Sequence, residues 1–326
     1  MKRPFFTIIV VSYNAGDDLI KTLESIKMQT FKDVAIIIKD GGSTDGSLER
    51  AAKCLGIDKE PLDNGKNDNS LKNTVEGRRR ISAGKINTNG SYDIRYRDGR
   101  IRIIRSKDHG IYDAMNMAVD AMRNEKGRSV SDTAPGYVYF LNCGDVFSSN
   151  QVLKKVHEKI QLDAKNSGTI VPTIYYGDIY EMKTSQRVSS NPKIDDFACY
   201  RNVPSHQACF YDERLVLRYA FDTVWKVRAD YEHFLRCFYV EKAETKYMNL
   251  LIADYEGGGF SETRENRKVS ETERQQIIHL YLTKKQIQRF DTIRALTLAP
   301  LRTKIAENPK TAGVYNKIKS LIYRHR

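Results

Sequence analysis

Four short apolar runs, each closing in a polar loop, constrain this chain more than any other feature. Phe6 to Val11, Val34 to Ile38, Ile101 to Ile104 and Tyr137 to Leu141 are rich in β-branched and aromatic residues. Such continuous runs are typical of strands buried on both faces. Between them lie helical patterns. Asp17 to Met28 places Leu19, Leu23 and Ile26 on one face, and Ile111 to Met122 forms a second helix. Strand and helix in alternation predict an α/β fold with a mostly parallel sheet and right-handed crossovers. A further strand over Ile174 to Tyr180 and a helix near Ala229 to Val240 continue the pattern.

The polar loops are the informative part. Val11-Ser12-Tyr13-Asn14, Asp40-Gly41-Gly42-Ser43, Lys107-Asp108-His109-Gly110 and Asn142-Cys143-Gly144-Asp145 each follow a strand. In open parallel sheets ligands sit at the carboxyl ends of strands, so four such loops imply one nucleotide-sized pocket.

The chain has 326 residues and a net charge of +13. From Arg264 onward fifteen Lys or Arg stand against five Asp or Glu, so most of the excess lies there. A basic segment of this kind suits a polyanion, either anionic lipid or nucleic acid. Aromatics interleaved with basic residues, or a helix-turn-helix, would favour nucleic acid, and neither is visible. Val314, Ile318, Leu321 and Ile322 fall on one helical face with Lys317, Lys319 and Arg324 elsewhere, which favours docking on an anionic membrane surface. No apolar run approaches the ~18–20 residues that span a bilayer. The five cysteines are scattered without a CxxC pair, as expected of reduced thiols. Residues 58–100 are polar and poor in apolar side chains. They read as an insertion whose end, Tyr92 to Ile104, forms a hairpin turning at Asp98-Gly99.

The segments VSYNAGDDLIKTLESIKMQT, IIIKDGGSTDGS, KDHGIYDAMNMAV and YFLNCGDVF, in this order, resemble the family 2 glycosyltransferases of the GT-A fold. The likeness is strongest to bacterial members that build exopolysaccharide, capsule or O-antigen, and it covers roughly residues 4–260. It implies a Rossmann-like GT-A domain over 1–260 with a basic helical extension over 261–326. It also implies inverting transfer of a sugar from a nucleotide donor, a UDP-sugar by expectation, to a saccharide or lipid-linked saccharide acceptor. The implied location is the cytoplasmic face of a plasma membrane.

The resemblance assigns roles to particular residues. Val11, Ser12, Tyr13, Asn14 and Asp40 are expected on the nucleotide, with Tyr13 stacked on the base and Asp40 accepting from a ring N–H. Gly41 stands where many relatives carry a second Asp. Asp108, Asp113, Asn116 and Asn142 are further donor-binding candidates, although Asp108 and Asp113 also suit helix capping. Asn142-Cys143-Gly144-Asp145 replaces the usual Asp-x-Asp and leaves Asp145 as the ligand for Mn²⁺ or Mg²⁺. Asp230 matches the general base, with Glu232 its rival. His206 and Gln207 are expected between donor and acceptor. Gly257-Gly258-Gly259-Phe260-Ser261 reads as a lid or as a linker. The shortened metal motif also keeps a catalytically weak scaffold of the same fold in view.

Overall fold

The computed structural model describes residues 3–57, 80–82, 91–96, 100–124, 136–167, 171–257 and 263–297. The expected turn at Asp98-Gly99, the residues from Gly258 to Ser261 and the helical face at Val314 to Ile322 lie outside them, as does most of 58–100. The elements run β1 (Phe6–Ser12), α1 (Asp18–Lys27), β2 (Val34–Asp40), α2 (Ser47–Cys54), β3 (Arg80–Ser82), β4 (Tyr92–Tyr96), β5 (Ile101–Arg105) and α3 (Ile111–Arg123). There follow β6 (Tyr137–Phe140), β7 (Val146–Phe147), α4 (Val152–Ser167), β8 (Thr173–Glu181), β9 (Gln186–Val188) and α5 (Asp196–Arg201). The last are β10 (Cys209–Asp212), α6 (Glu213–Arg218), α7 (Ala229–Tyr239), β11 (Glu244–Tyr255), α8 (Arg264–Tyr281) and α9 (Lys284–Leu296).

One sheet carries all the described strands, in the order β3-β4-β5-β2-β1-β6-β10-β8-β11-β7, with β9 beside β8. Strands β5, β2, β1 and β6 are mutually parallel, as the strand–helix alternation predicts. Their register aligns Ser12 with Asp40 and Asp40 with Arg105, so the polar loops leave the sheet along one edge. Strand β1 has β2 on one side and β6 on the other, which makes this edge a topological switch point. The expected hairpin is present as the antiparallel pair β4–β5, with Tyr96 opposite Ile101. Beyond β6 the sheet turns mixed, because β10 runs antiparallel to both β6 and β8.

Apolar side chains alternate across the sheet. Phe6, Ile8 and Val10 pack towards Leu19, Leu23 and Ile26 of α1, while Ile9 and Val11 pack towards α3. A strand with both faces covered must be apolar throughout, which is why the first run shows no period-two alternation. The described part of the basic extension does not stand apart. Ile277 and Ile278 of α8, then Leu282, then Ile287 and Phe290 of α9, belong to the same core cluster as α3 and α7. The buried residues of α8, Ser270, Glu273, Arg274, Ile277 and Ile278, recur at helical spacing on one face.

Candidate active site

Beside the switch point a cavity of about 1230 Å³ opens, and Asp230, His206, Asn142, Gln207, Tyr112 and Arg228 are among its lining residues. Four separate stretches deliver them, and Tyr112 comes from the first turn of α3. Asn142 follows β6 on the parallel edge. His206 and Gln207 sit in a single 3-10 turn, His206–Ala208, that feeds β10. Asp230 is the second residue of α7.

Asp230 is the centre of this group. Its Oδ1 accepts from the Tyr112 hydroxyl at 2.9 Å and from the Tyr231 backbone N–H at 2.8 Å. Its Oδ2 lies 3.3 Å from His206 Nδ1. The side chain keeps 25% of its surface and lines the cavity. Burial pushes the Asp230 carboxyl up. The hydrogen bond and charge of His206, the Arg228 guanidinium and the Tyr112 hydroxyl outweigh it and hold the group below its ordinary value. Burial, and then Asp230 itself, push the Tyr112 hydroxyl well above its ordinary value, so Tyr112 stays a donor. On the other side of the imidazole, Asn142 Nδ2 lies 2.9 Å from His206 Nε2. The ring is thus held between two polar side chains, Nδ1 towards Asp230 and Nε2 towards Asn142. The Asn142 Oδ1 is buried and has no partner in the protein.

Several expected site residues are spent elsewhere. Asp40 is fully buried, and its oxygens accept from the Gly42 and Ser43 N–H groups and the Ser43 hydroxyl. In this arrangement it shapes the turn and does not present an edge to a base. Asn14 braces the same turn: its N–H donates to Ser43 Oγ and its Oδ1 accepts from Thr44 N–H. Val11 is core, and its carbonyl accepts from the Cys143 thiol. Ser12 is buried, and its carbonyl accepts from Gly41 N–H. Asp113 caps its own helix entry by accepting from His109 N–H. Asn116 ties α3 to the Phe221 backbone with both ends of its amide. Asp108 pairs with the buried Lys39 at 2.7 Å and accepts from Gly110 N–H. Tyr13 remains open, at 68% exposure. A Cβ on Gly41 would lie 3.0 Å from both Tyr13 Cδ2 and Asp108 Oδ2, so the glycine lets these two side chains close over the turn.

Glu232 is not a second base. It is buried, paired with Arg236, and accepts from the Tyr281 hydroxyl of α8. It fastens α7 to α8. Glu232→Gln is therefore expected to leave kcat unchanged and to lower stability by about 1–3 kcal/mol, because Arg236 loses its buried partner. Urea titration of the two proteins beside a turnover assay measures both.

The metal expectation fits this donor set poorly. Asp145 is only 3% exposed. One of its oxygens accepts from Gln207 Nε2 at 3.0 Å and the other faces the Glu256 N–H at 3.4 Å. Burial pushes its carboxyl up, with Gln207 opposing. Among the described residues no three His, Cys, Asp or Glu converge as a metal cage. Gln207 reaches Asp145 from the cavity wall, so the carboxylate buttresses that wall.

Two contributions were not legible in the sequence. Tyr112 lies in the segment IYDAMNM, where it passes for an apolar helix residue, yet its hydroxyl lies 2.9 Å from both Asp230 Oδ1 and the Val227 carbonyl oxygen and shares its one proton between them. Glu273 of α8 is buried in the extension and accepts from the backbone N–H groups of Lys226, Val227 and Arg228.

A mostly parallel sheet with this switch-point cleft and a mixed second half is the GT-A fold. Staphylococcus aureus TarS, residues 1–349, shares it. The structure in complex with UDP superposes with a TM-score of 0.54 at 12% identity, covering 87% of this chain and 69% of that one. The structure in complex with UDP-GlcNAc gives 0.53 at 14% identity, covering 85% and 71%. Residues 7–66 match the sequence profile of glycosyl transferase family 2. The PGL/p-HBAD biosynthesis glycosyltransferases of Mycobacterium tuberculosis H37Rv and Mycobacterium bovis AF2122/97 are 28% identical over 271 residues, 81% of this chain and 81% of each relative. Fold, profile and relatives thus agree in their likeness to the family 2 glycosyltransferases.

Proposed function

We propose that this glycosyltransferase inverts the anomeric centre of a UDP-sugar and delivers the sugar to a hydroxyl of a saccharide or glycolipid acceptor. The observation that carries the reading is Asp230: an ionised carboxylate at the cavity wall, held by Tyr112, the Tyr231 N–H and His206, with one face open. The acceptor oxygen attacks the anomeric carbon and gives its proton to Asp230. The bond from that carbon to the diphosphate oxygen breaks, and its electron pair leaves with the nucleoside diphosphate. A single displacement of this kind inverts configuration and needs one base. His206, fixed between Asp230 and Asn142, keeps the carboxylate aimed. Tyr13 offers a face on which a base can stack.

The UDP preference is supported by the UDP and UDP-GlcNAc complexes of TarS, and the acceptor class by the likeness to the mycobacterial PGL/p-HBAD biosynthesis glycosyltransferases. The sequence resemblance also proposes a divalent ion. No step above is routed through one, because Asp145 is turned into the protein. We further propose that the basic end of the chain docks on anionic lipid.

Hydrolysis of UDP-, GDP- and dTDP-sugars, each with Mn²⁺, with Mg²⁺ and with chelator, tests donor and ion together. Release of UDP alone is the expected result. Release of GDP or dTDP in preference overturns the donor assignment. No nucleotide release under any condition favours a scaffold of the same fold.

A further inference from the structure

Helix α7 carries the proposed base in its first turn, yet its own sequence supplies no cap. Arg228 stands at the N-cap and makes no side-chain capping bond. Glu273, forty-five residues later, does that work from another helix. Its Oε1 accepts from Lys226 N–H at 2.8 Å, and its Oε2 accepts from Val227 N–H at 3.0 Å and Arg228 N–H at 2.9 Å. Three successive amides ahead of a helix, together with its dipole, form an anion site, and here a protein carboxylate fills it. Around this contact Arg228 Nε donates to Ser270 Oγ at 2.7 Å and Arg228 Nη1 to Asn202 Oδ1 at 3.1 Å. The Val227 carbonyl between them accepts from Tyr112, whose hydroxyl also meets Asp230.

We propose that Glu273 is a positioning residue for the transfer reaction, setting Asp230 through the backbone of residues 226–228 and the Tyr112 hydroxyl. The inference rests on Asp230 being the base. Two links join Glu273 to the carboxylate. The first is the helix start itself, since Asp230 lies two residues beyond the last amide Glu273 holds. The second is Tyr112, which keeps one hydroxyl within reach of both Val227 and Asp230 only while the loop is held. A shift of the carboxylate by a fraction of an ångström is felt in the proton-transfer step and not in donor binding.

Glu273→Gln is nearly isosteric but offers a single acceptor oxygen, so at least one amide faces an NH₂ group. We expect kcat to fall about 10- to 100-fold, with the donor KM changed less than about twofold. Glu273→Asp, one methylene short, is expected to fall between this variant and the wild type, and it is the variant read if the glutamine form does not fold. The discriminating measurement is the double variant. In an Asp230→Asn background, Glu273→Gln is expected to add no further loss to the residual rate, since the group it positions is gone. A loss of the same size in both backgrounds means general damage and overturns the inference. So does an unchanged kcat in both Glu273 variants while Asp230→Asn is inactive. An active Asp230→Asn protein instead removes the base assignment, a different failure seen in a different variant.

Discussion

Asp230→Asn is expected to reduce transfer by about a thousandfold while nucleotide-donor affinity stays within about twofold of the wild type. The substitution is close to isosteric. The amide oxygen still accepts from Tyr112 and from the Tyr231 N–H, so α7 keeps its first turn. What is lost is the ability to take a proton. The pH dependence of the wild type sharpens the prediction. Because the folded-state pKa of Asp230 is depressed, the base is ionised throughout the range above its ordinary value, and kcat fails only as pH falls through the lower, folded value. The same sign governs stability: the interactions that depress this pKa contribute above the unfolded value of about 3.9 and are lost as pH falls through the folded one. The asparagine protein lacks both effects. A depressed pKa also makes Asp230 a weak base. Proton transfer then belongs with displacement, when the attacking hydroxyl has become acidic, and not before it. Turnover and donor titration of the variant decide the matter. More than a tenth of wild-type turnover would show that another group removes the proton.

The parallel half of the sheet was legible because strands buried on both faces need unbroken apolar runs, and β1, β2, β5 and β6 are such runs. The convergence of four polar loops followed from their position at strand ends. The direction in which each side chain spends its lone pairs did not. Asp40 stands at a strand end, as a base-reading carboxylate would, but Gly42 and Ser43 offer amides within three residues and take it. Asp145 is one residue from a two-residue strand and turns towards Gln207. Asn116 faces a loop more than a hundred residues away, and no local pattern signals such a partner. Glu273 was hidden by composition. A segment counted as basic reads as solvated, whereas the spacing of Ser270, Glu273, Arg274, Ile277 and Ile278 marks a buried stripe containing an acid and a base. That stripe, and not the net charge, was the usable signal.

Two truncations separate what the extension does for the fold from what it does at a surface. A chain ending at residue 262 is expected not to fold, and one ending at residue 297 is expected to fold and turn over normally. The first cut removes Ile277, Ile278, Leu282, Ile287 and Phe290, each less than a tenth exposed. At about 1.5–3 kcal/mol per buried side chain, this is on the order of 10 kcal/mol, comparable to the whole net stability of a typical domain, about 5–15 kcal/mol. It also strips Glu273 from three amides and Tyr281 from Glu232, and leaves those groups facing the vacated core surface. Loss of residues 264–326 is thus a loss of core and not only of a basic surface, because α8 and α9 are part of the core. The second cut spares every described helix and removes Lys304, Lys310, Lys317, Lys319 and three arginines beyond residue 297. If these residues dock on lipid, sedimentation with vesicles containing anionic phospholipid is expected to drop at least about tenfold for the chain ending at 297, with turnover on a soluble acceptor unchanged. Equal sedimentation of the two proteins would remove the lipid-docking proposal, and a folded chain ending at 262 would remove α8 and α9 from the core.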